Sequence, residues 1–145
     1  MAFLVLDTNV YLDADRDARI TEDVAAVVEA HGRPLGLSAV VLAELLVAPR
    51  DARERERLLA ATVGAVEPWQ HLVPTLDDWR TAGDALAALG GGASTKGRSF
   101  WNDLLIAASC ARVGATLMTR DADDFSRIRR PIPVAVVARP DASDV

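Results

Sequence analysis

Cysteine is almost absent from this chain: Cys110 is the single one in 145 residues. No internal disulfide can form, in keeping with a reducing compartment. Cys110 itself lies in a helical apolar pattern, where a thiol behaves as a small hydrophobe. Histidine is equally scarce. His31, His71 and Cys110 do not form a ligand set of useful spacing, which argues against zinc. Long apolar runs are missing too, and no stretch nears the length that spans a bilayer. The start, Met1-Ala2-Phe3-Leu4-Val5-Leu6-Asp7, lacks the basic residues and extended apolar region of a signal peptide. A cytoplasmic protein without membrane contact is the expectation. Net positive charge is also lacking. The formal balance is −5, which counts against a broad basic surface for nucleic acid. It does not exclude a nuclease, because bound metal would offset several of the negative charges.

What remains is a chain 50% hydrophobic and 26% charged, enough for one domain with a substantial core. That domain is expected over residues 1–140, with 141–145 as a loose tail and no repeat or linker. Residues 3–6 read as a fully buried strand, 34–37 as a second, and 71–73 as a weak third. Two more apolar strands fall at 115–119 and 134–138. Between them lie helical patterns: one from Thr8, capped by Thr8 or Asn9, and one from Thr21 to Ala30. Ser38 caps a third, which stops near Pro49. Asp51–Thr62 reads as a charged helix whose Arg50, Arg53 and Arg57 face Glu54 and Glu56, a salt-bridged surface more than an RNA contact. Leu76–Leu89 is helical up to Gly90-Gly91-Gly92, and a polar loop leads to the helix that begins at Ser99. A short helix starts near Asp121. This alternation predicts an α/β fold of three layers, α/β/α, with a central, mostly parallel sheet of about five strands. Ligands in such folds bind beyond the carboxyl ends of the strands.

Four acids stand where solvated surface charge does not usually sit. Asp7 closes the run Phe3–Leu6, and Glu44 interrupts Val40–Val47. Asp103 precedes Leu104-Leu105-Ile106-Ala107-Ala108, and Asp121 follows Ala115–Arg120. Burying unpaired carboxylates costs several kcal/mol, so a group of them implies a compensating cation. Each has a bland alternative. Asp7 and Asp121 could be helix caps, Glu44 could pair with a buried arginine, and Asp103 gains from its place near a helix start. Asp124 lies within reach of the same site. Carboxylates with water suit Mg²⁺ or Mn²⁺, and one or two such ions can activate water toward a phosphodiester.

Taken together, Leu6-Asp7-Thr8-Asn9-Val10, Ser38–Glu44, Asn102–Ala108 and Thr119–Phe125 resemble the motifs of PIN-domain nucleases, in the family's order. More narrowly they resemble the VapC-type toxins of bacterial toxin–antitoxin systems, from Phe3 to about Val137. The resemblance implies a Mg²⁺- or Mn²⁺-dependent endoribonuclease. It makes Asp7 and Asp103 the main metal ligands, with Glu44 and Asp121 completing an acidic catalytic pocket and Thr8, Asn9 and Thr119 in support. Some relatives use the acid just before the phenylalanine, here Asp124, as the fourth. A homodimer and a small antitoxin that blocks the site are implied as well. Lys96 and Arg98 are candidates for phosphate contacts on the RNA. Trp69, Trp79 and Trp101 are read as core or dimer packing ahead of base stacking.

Other readings fit less well. A phosphatase of the haloacid-dehalogenase type needs a second acid two residues after the first, where this chain has Asn9. The segment Gly91–Lys96 lacks the glycine that precedes the lysine of a P-loop. A DNA-cleaving relative of the flap-nuclease kind would need helical additions for which there is little room. A non-catalytic RNA-binding or scaffold module is the alternative of a different class, but it would gain nothing from four mutually repelling acids.

Overall fold

Leu4, Val5 and Leu6 form β1 (Leu4–Leu6), buried on both faces and flanked by a parallel strand on each side. The computed structural model describes residues 2–90 and 97–141. Its five strands, β1, β2 (Leu35–Ser38), β3 (His71–Leu72), β4 (Thr116–Thr119) and β5 (Ala135–Ala138), lie in the order β3-β2-β1-β4-β5. Every pairing is parallel: Leu4 lies opposite Leu35 on one side and Thr116 on the other, and Leu6 opposite Met118. The expected parallel sheet is therefore present, and it carries no antiparallel strand among the described residues.

The helices are α1 (Thr8–Arg16), α2 (Ala18–His31), α3 (Ala39–Leu45), α4 (Ala52–Ala61), α5 (Leu76–Leu89) and α6 (Gly97–Val113). Alternation along the strands divides the core into two layers. Leu4, Leu6 and Met118 pack with Val10 and Val24 on one face. Val5 and Leu117 point the other way, into a larger cluster with Val41, Leu45, Leu72, Ala82, Phe100 and Leu104. Helices thus cover both faces and complete the α/β/α layering. Gly36 is required by close approach: a Cβ there would meet Phe3 Cβ and Cγ at 3.0 Å.

Several boundaries differ from the sequence reading. Asp7, not Thr8 or Asn9, caps α1, its carboxylate accepting from Thr8 N–H. Helix α2 begins at Ala18 because Asp17 caps it through Arg19 N–H, and Thr21 lies inside the helix, donating to Ala14 C=O. Helix α3 stops at Leu45, so Val47 leaves the apolar stripe and is 82% exposed. Ser38 does cap α3, and Leu76–Leu89 stands at its expected bounds. Helix α6 starts at Gly97, earlier than Ser99, so Arg98 lies in its first turn. Lys96, the Arg98 side chain and tail residues 142–145 lie outside what is described. Arg50 pairs with Glu54, and Arg57 with Asp15 across to α1, as a salt-bridged surface would. Trp101 packs on the core, whereas Trp69 and Trp79 stand half exposed, Trp69 tilted against Phe3. Among the described residues no helix is long and apolar enough to cross a membrane.

Candidate active site

The chain leaves β1 toward β2 on one side and reaches β4 on the other, so the topological switch lies at the carboxyl ends of β1 and β4. Asp7 and Thr119 occupy those two ends. The Asp7 carboxylate is 5% exposed and is held by two donors, Thr8 N–H at 2.8 Å and the Thr119 hydroxyl at 2.8 Å. Burial dominates over these donors and pushes its pKa above the usual carboxyl value, with smaller contributions from Glu44 and Asp121.

Glu44 projects from α3 to accept a 2.7 Å hydrogen bond from the Thr8 hydroxyl. Among the described residues no arginine forms an ion pair with Glu44, so none supplies the buried partner that could have explained it. Asn9 binds the β4 end from the other side. Its Nδ2 donates to Thr119 Oγ1 at 3.2 Å and Asp121 Oδ2 at 3.3 Å, while its Oδ1 accepts from Arg120 N–H at 3.0 Å. Asp121 opens the short 3₁₀ segment Ala122–Ser126, yet its side chain makes no capping bond there. The helix-cap explanation therefore fails for Asp121.

Asp103, one and a half turns into α6, is half-buried and faces the other acids. Its pKa is pushed up to about 7, first by burial and then by repulsion from Asp7, Glu44, Asp124 and Asp121. Asp121 and Asp124 take different sides of this arrangement. Asp121 joins Asn9, whereas Asp124 lines a cleft of about 350 Å³ with Asp103, Ser99, Phe100, Asp123, Ser126 and Arg127. The carboxylates thus sense one another without touching. Among the described residues no three His, Cys, Asp or Glu side chains are drawn close enough to hold an ion as they stand. The separate anchors on Glu44, Asp7 and Asp121 keep them apart, as repulsion between like charges favours. Chemically the donor set is all oxygen and net anionic. That fits a hard divalent cation, whose charge would relieve the repulsion that raises Asp103.

Sequence reasoning missed a supporting network. Asp13 accepts a hydrogen bond from Arg120 Nη1 at 2.9 Å and forms an ion pair with Arg139, whose Nε lies 3.2 Å away without hydrogen-bond geometry, tying α1 to the ends of β4 and β5. Asp13 lies one helical turn beyond Asn9, and both arginines directly follow strand residues; that spacing was the available signal.

By sequence, no curated protein matches the chain. By shape, it is similar to solved structures of low identity, which speak to fold alone. VapBC-1 from nontypeable Haemophilus influenzae is 22% identical, with a TM-score of 0.66 over 94% of this chain and 97% of that one. DNA-bound VapBC from Salmonella typhimurium is 19% identical, with a TM-score of 0.65 over 97% and 100%. FitAcB from Neisseria gonorrhoeae is 21% identical, with a TM-score of 0.61 over 99% and 100%. The family model of the PIN domain matches residues 4–131. That match spans all but the last strand of the fold and both walls of the acidic site, and the chain belongs to the PIN-domain family.

Proposed function

We propose that this protein is a metal-dependent endoribonuclease and the VapC-type toxin of a toxin–antitoxin pair. The observation that carries the nuclease reading is the gathering of Asp7, Glu44, Asp103 and Asp121 at the switch point, where among the described residues only Asp121 has a cation of the protein's own, Arg120 at 3.6 Å. Asp7 and Asp103 are the proposed principal ligands of Mg²⁺ or Mn²⁺, with Glu44 and Asp121 beside them and Asp124 on the cleft side. When bound, such an ion supplies an activated water and neutralises charge on the phosphodiester. The chain's own residues do the positioning. Thr119 and Thr8 orient the Asp7 and Glu44 carboxylates, and Asn9 fixes Asp121 relative to β4. Asp7 is buried at the base of the site, where its charge is least screened, while Asp121 and Asp124 stand exposed at its rim.

The toxin reading rests on the motif resemblance, and likeness to VapBC and FitAcB structures supports it. A small antitoxin and a second copy of this chain are the proposed protein partners. The test is cleavage of total RNA by partner-free protein with Mg²⁺, with Mn²⁺ and with EDTA, with Asp7→Ala protein alongside. Discrete fragments that require metal and vanish in Asp7→Ala are expected. Absence of cleavage by folded protein under both metals would transfer the weight to a non-catalytic binding module.

A further inference from the structure

We propose that Arg127 is a substrate-binding residue, gripping an RNA phosphate beside the acidic site. This rests on the ribonuclease reading above and names how an acidic protein holds an anionic strand. Among the described residues Arg127 is the only cation lining the cleft that contains Asp103 and Asp124. Other arginines, such as Arg53, Arg80 and Arg129, also lack an ion pair among the described residues, but Arg127 is set apart by its place in this cleft. Arg50, Arg57, Arg112, Arg120 and Arg139 are each committed to a carboxylate. Arg127 shares its cleft with Asp103, Asp123 and Asp124, yet makes no ion pair or hydrogen bond among the described residues. An exposed guanidinium that leaves nearby carboxylates ungripped remains free to bind something else.

The electrostatics demand such a group. Asp103 faces four other carboxylates, and one divalent ion leaves that assembly negative. A phosphodiester approaching it is repelled unless a cation at the rim offsets the field. The forked guanidinium suits two oxygens of one phosphate, and the Ser99 and Ser126 hydroxyls on the same walls add neutral donors. The position, just after the segment Ala122–Ser126, puts this contact on the Asp103 side of the site and not on the Asn9 side.

The test compares wild type with Arg127→Ala and Arg127→Lys, using a fluorescein-labelled, mixed-sequence RNA oligonucleotide in Mn²⁺ at several salt concentrations. For Arg127→Ala, KM is expected to rise about tenfold while kcat changes by less than about twofold. The slope of log kcat/KM against log salt should fall by about 0.7, the share of one phosphate contact on a single strand. Arg127→Lys should keep the wild-type slope and recover part of the KM, because it retains charge but not the fork. Wild-type KM and slope in Arg127→Ala would overturn the proposal while leaving the nuclease reading intact. An equal loss of kcat in both variants with a lowered melting temperature would overturn it in favour of a structural role. Wild type that cleaves nothing under metal would fell the nuclease reading and this one with it.

Discussion

Asp78 and Asp7 are buried to nearly the same depth, 3% and 5% exposed, and the protein treats them in opposite ways. Asp78, in the first turn of α5, receives Arg112 Nε from α6 at 3.1 and 3.0 Å and also accepts from Thr75 N–H. Arg112 in turn donates to Val73 C=O. Every demand of that buried charge is met inside the fold, and the pair fastens α5 to α6. Asp7 receives only a backbone N–H and a hydroxyl, and its further neighbours are acids. The Asp13 corner repeats the first solution, with two arginines on one carboxylate. Cations are thus available, and even Arg120, beside the switch point, makes its shortest ion pair with Asp13 at 2.9 Å and only a 3.6 Å contact with Asp121. A fold that pairs its structural acids, gives Asp121 only this long, exposed contact to Arg120, and leaves Asp7, Glu44 and Asp103 without a cation among the described residues is separating two jobs, holding together and binding an external charge.

This contrast can be broken most sharply at Asp103. Asp103→Asn keeps the shape and removes the charge, so cleavage in Mg²⁺ or Mn²⁺ should fall by more than about 100-fold, the cost of losing even an outer contact to a metal. The circular dichroism spectrum and melting temperature should be retained. Wild-type-like cleavage by that variant would remove Asp103 from the site. The paired region should answer the other way. Arg112→Leu would convert Asp78 into a second Asp7, a buried carboxylate without a cation. A loss of about 3 kcal/mol is expected in urea unfolding, with metal-dependent cleavage unchanged below the transition. A variant as stable as wild type would show that the α5–α6 pair holds nothing.

Much of the sheet was legible because short, fully apolar runs between helical patterns leave few alternatives. Leu4–Leu6 and Thr116–Thr119 lie within the expected segments, and even the two-residue β3 falls in its expected place. Asp7, Glu44 and Asp103 were visible for the complementary reason, as charges set in apolar runs, whereas Asp121 stands exposed beside Arg120 and was picked out by the order of the motifs. What the sequence concealed was polar geometry between distant segments. Asn9 joins Thr119, Arg120 and Asp121 across more than a hundred residues, and no local pattern announces such a partner. Thr8 gave no hint that its hydroxyl would steer Glu44. Nor could spacing distinguish Asp121, which precedes the 3₁₀ segment and bonds Asn9, from Asp124, which lies within it and lines the Asp103 cleft. Arg127 escaped notice within the basic run Arg127–Arg130, where it resembled ordinary solvated charge.

The smallest expected effect is also the most direct measure of the unpaired region, and it lies in the pH dependence of stability. Asp103 has its carboxyl raised from 3.8 to about 7, so between those values the native state binds more protons than the unfolded chain. Stability from this group is fully present below about pH 4 and is lost as pH rises toward about 7. Asp7, raised by burial, acts in the same direction. Asp17, lowered by the Arg19 backbone N–H, and Glu54, lowered by its hydrogen bond from Arg50, act oppositely but only at acid pH below this window. Metal-free protein should therefore melt a few degrees lower at about pH 8 than at about pH 5. Asp103→Asn should flatten most of that difference, and the histidines, common to both proteins, cancel in the comparison. Added Mg²⁺ or Mn²⁺ should restore the wild type at high pH by binding the folded state alone, and should do little for the variant. Equal slopes for both proteins, with no rescue by either ion, would mean that the acids at the switch point are as well compensated as Asp78.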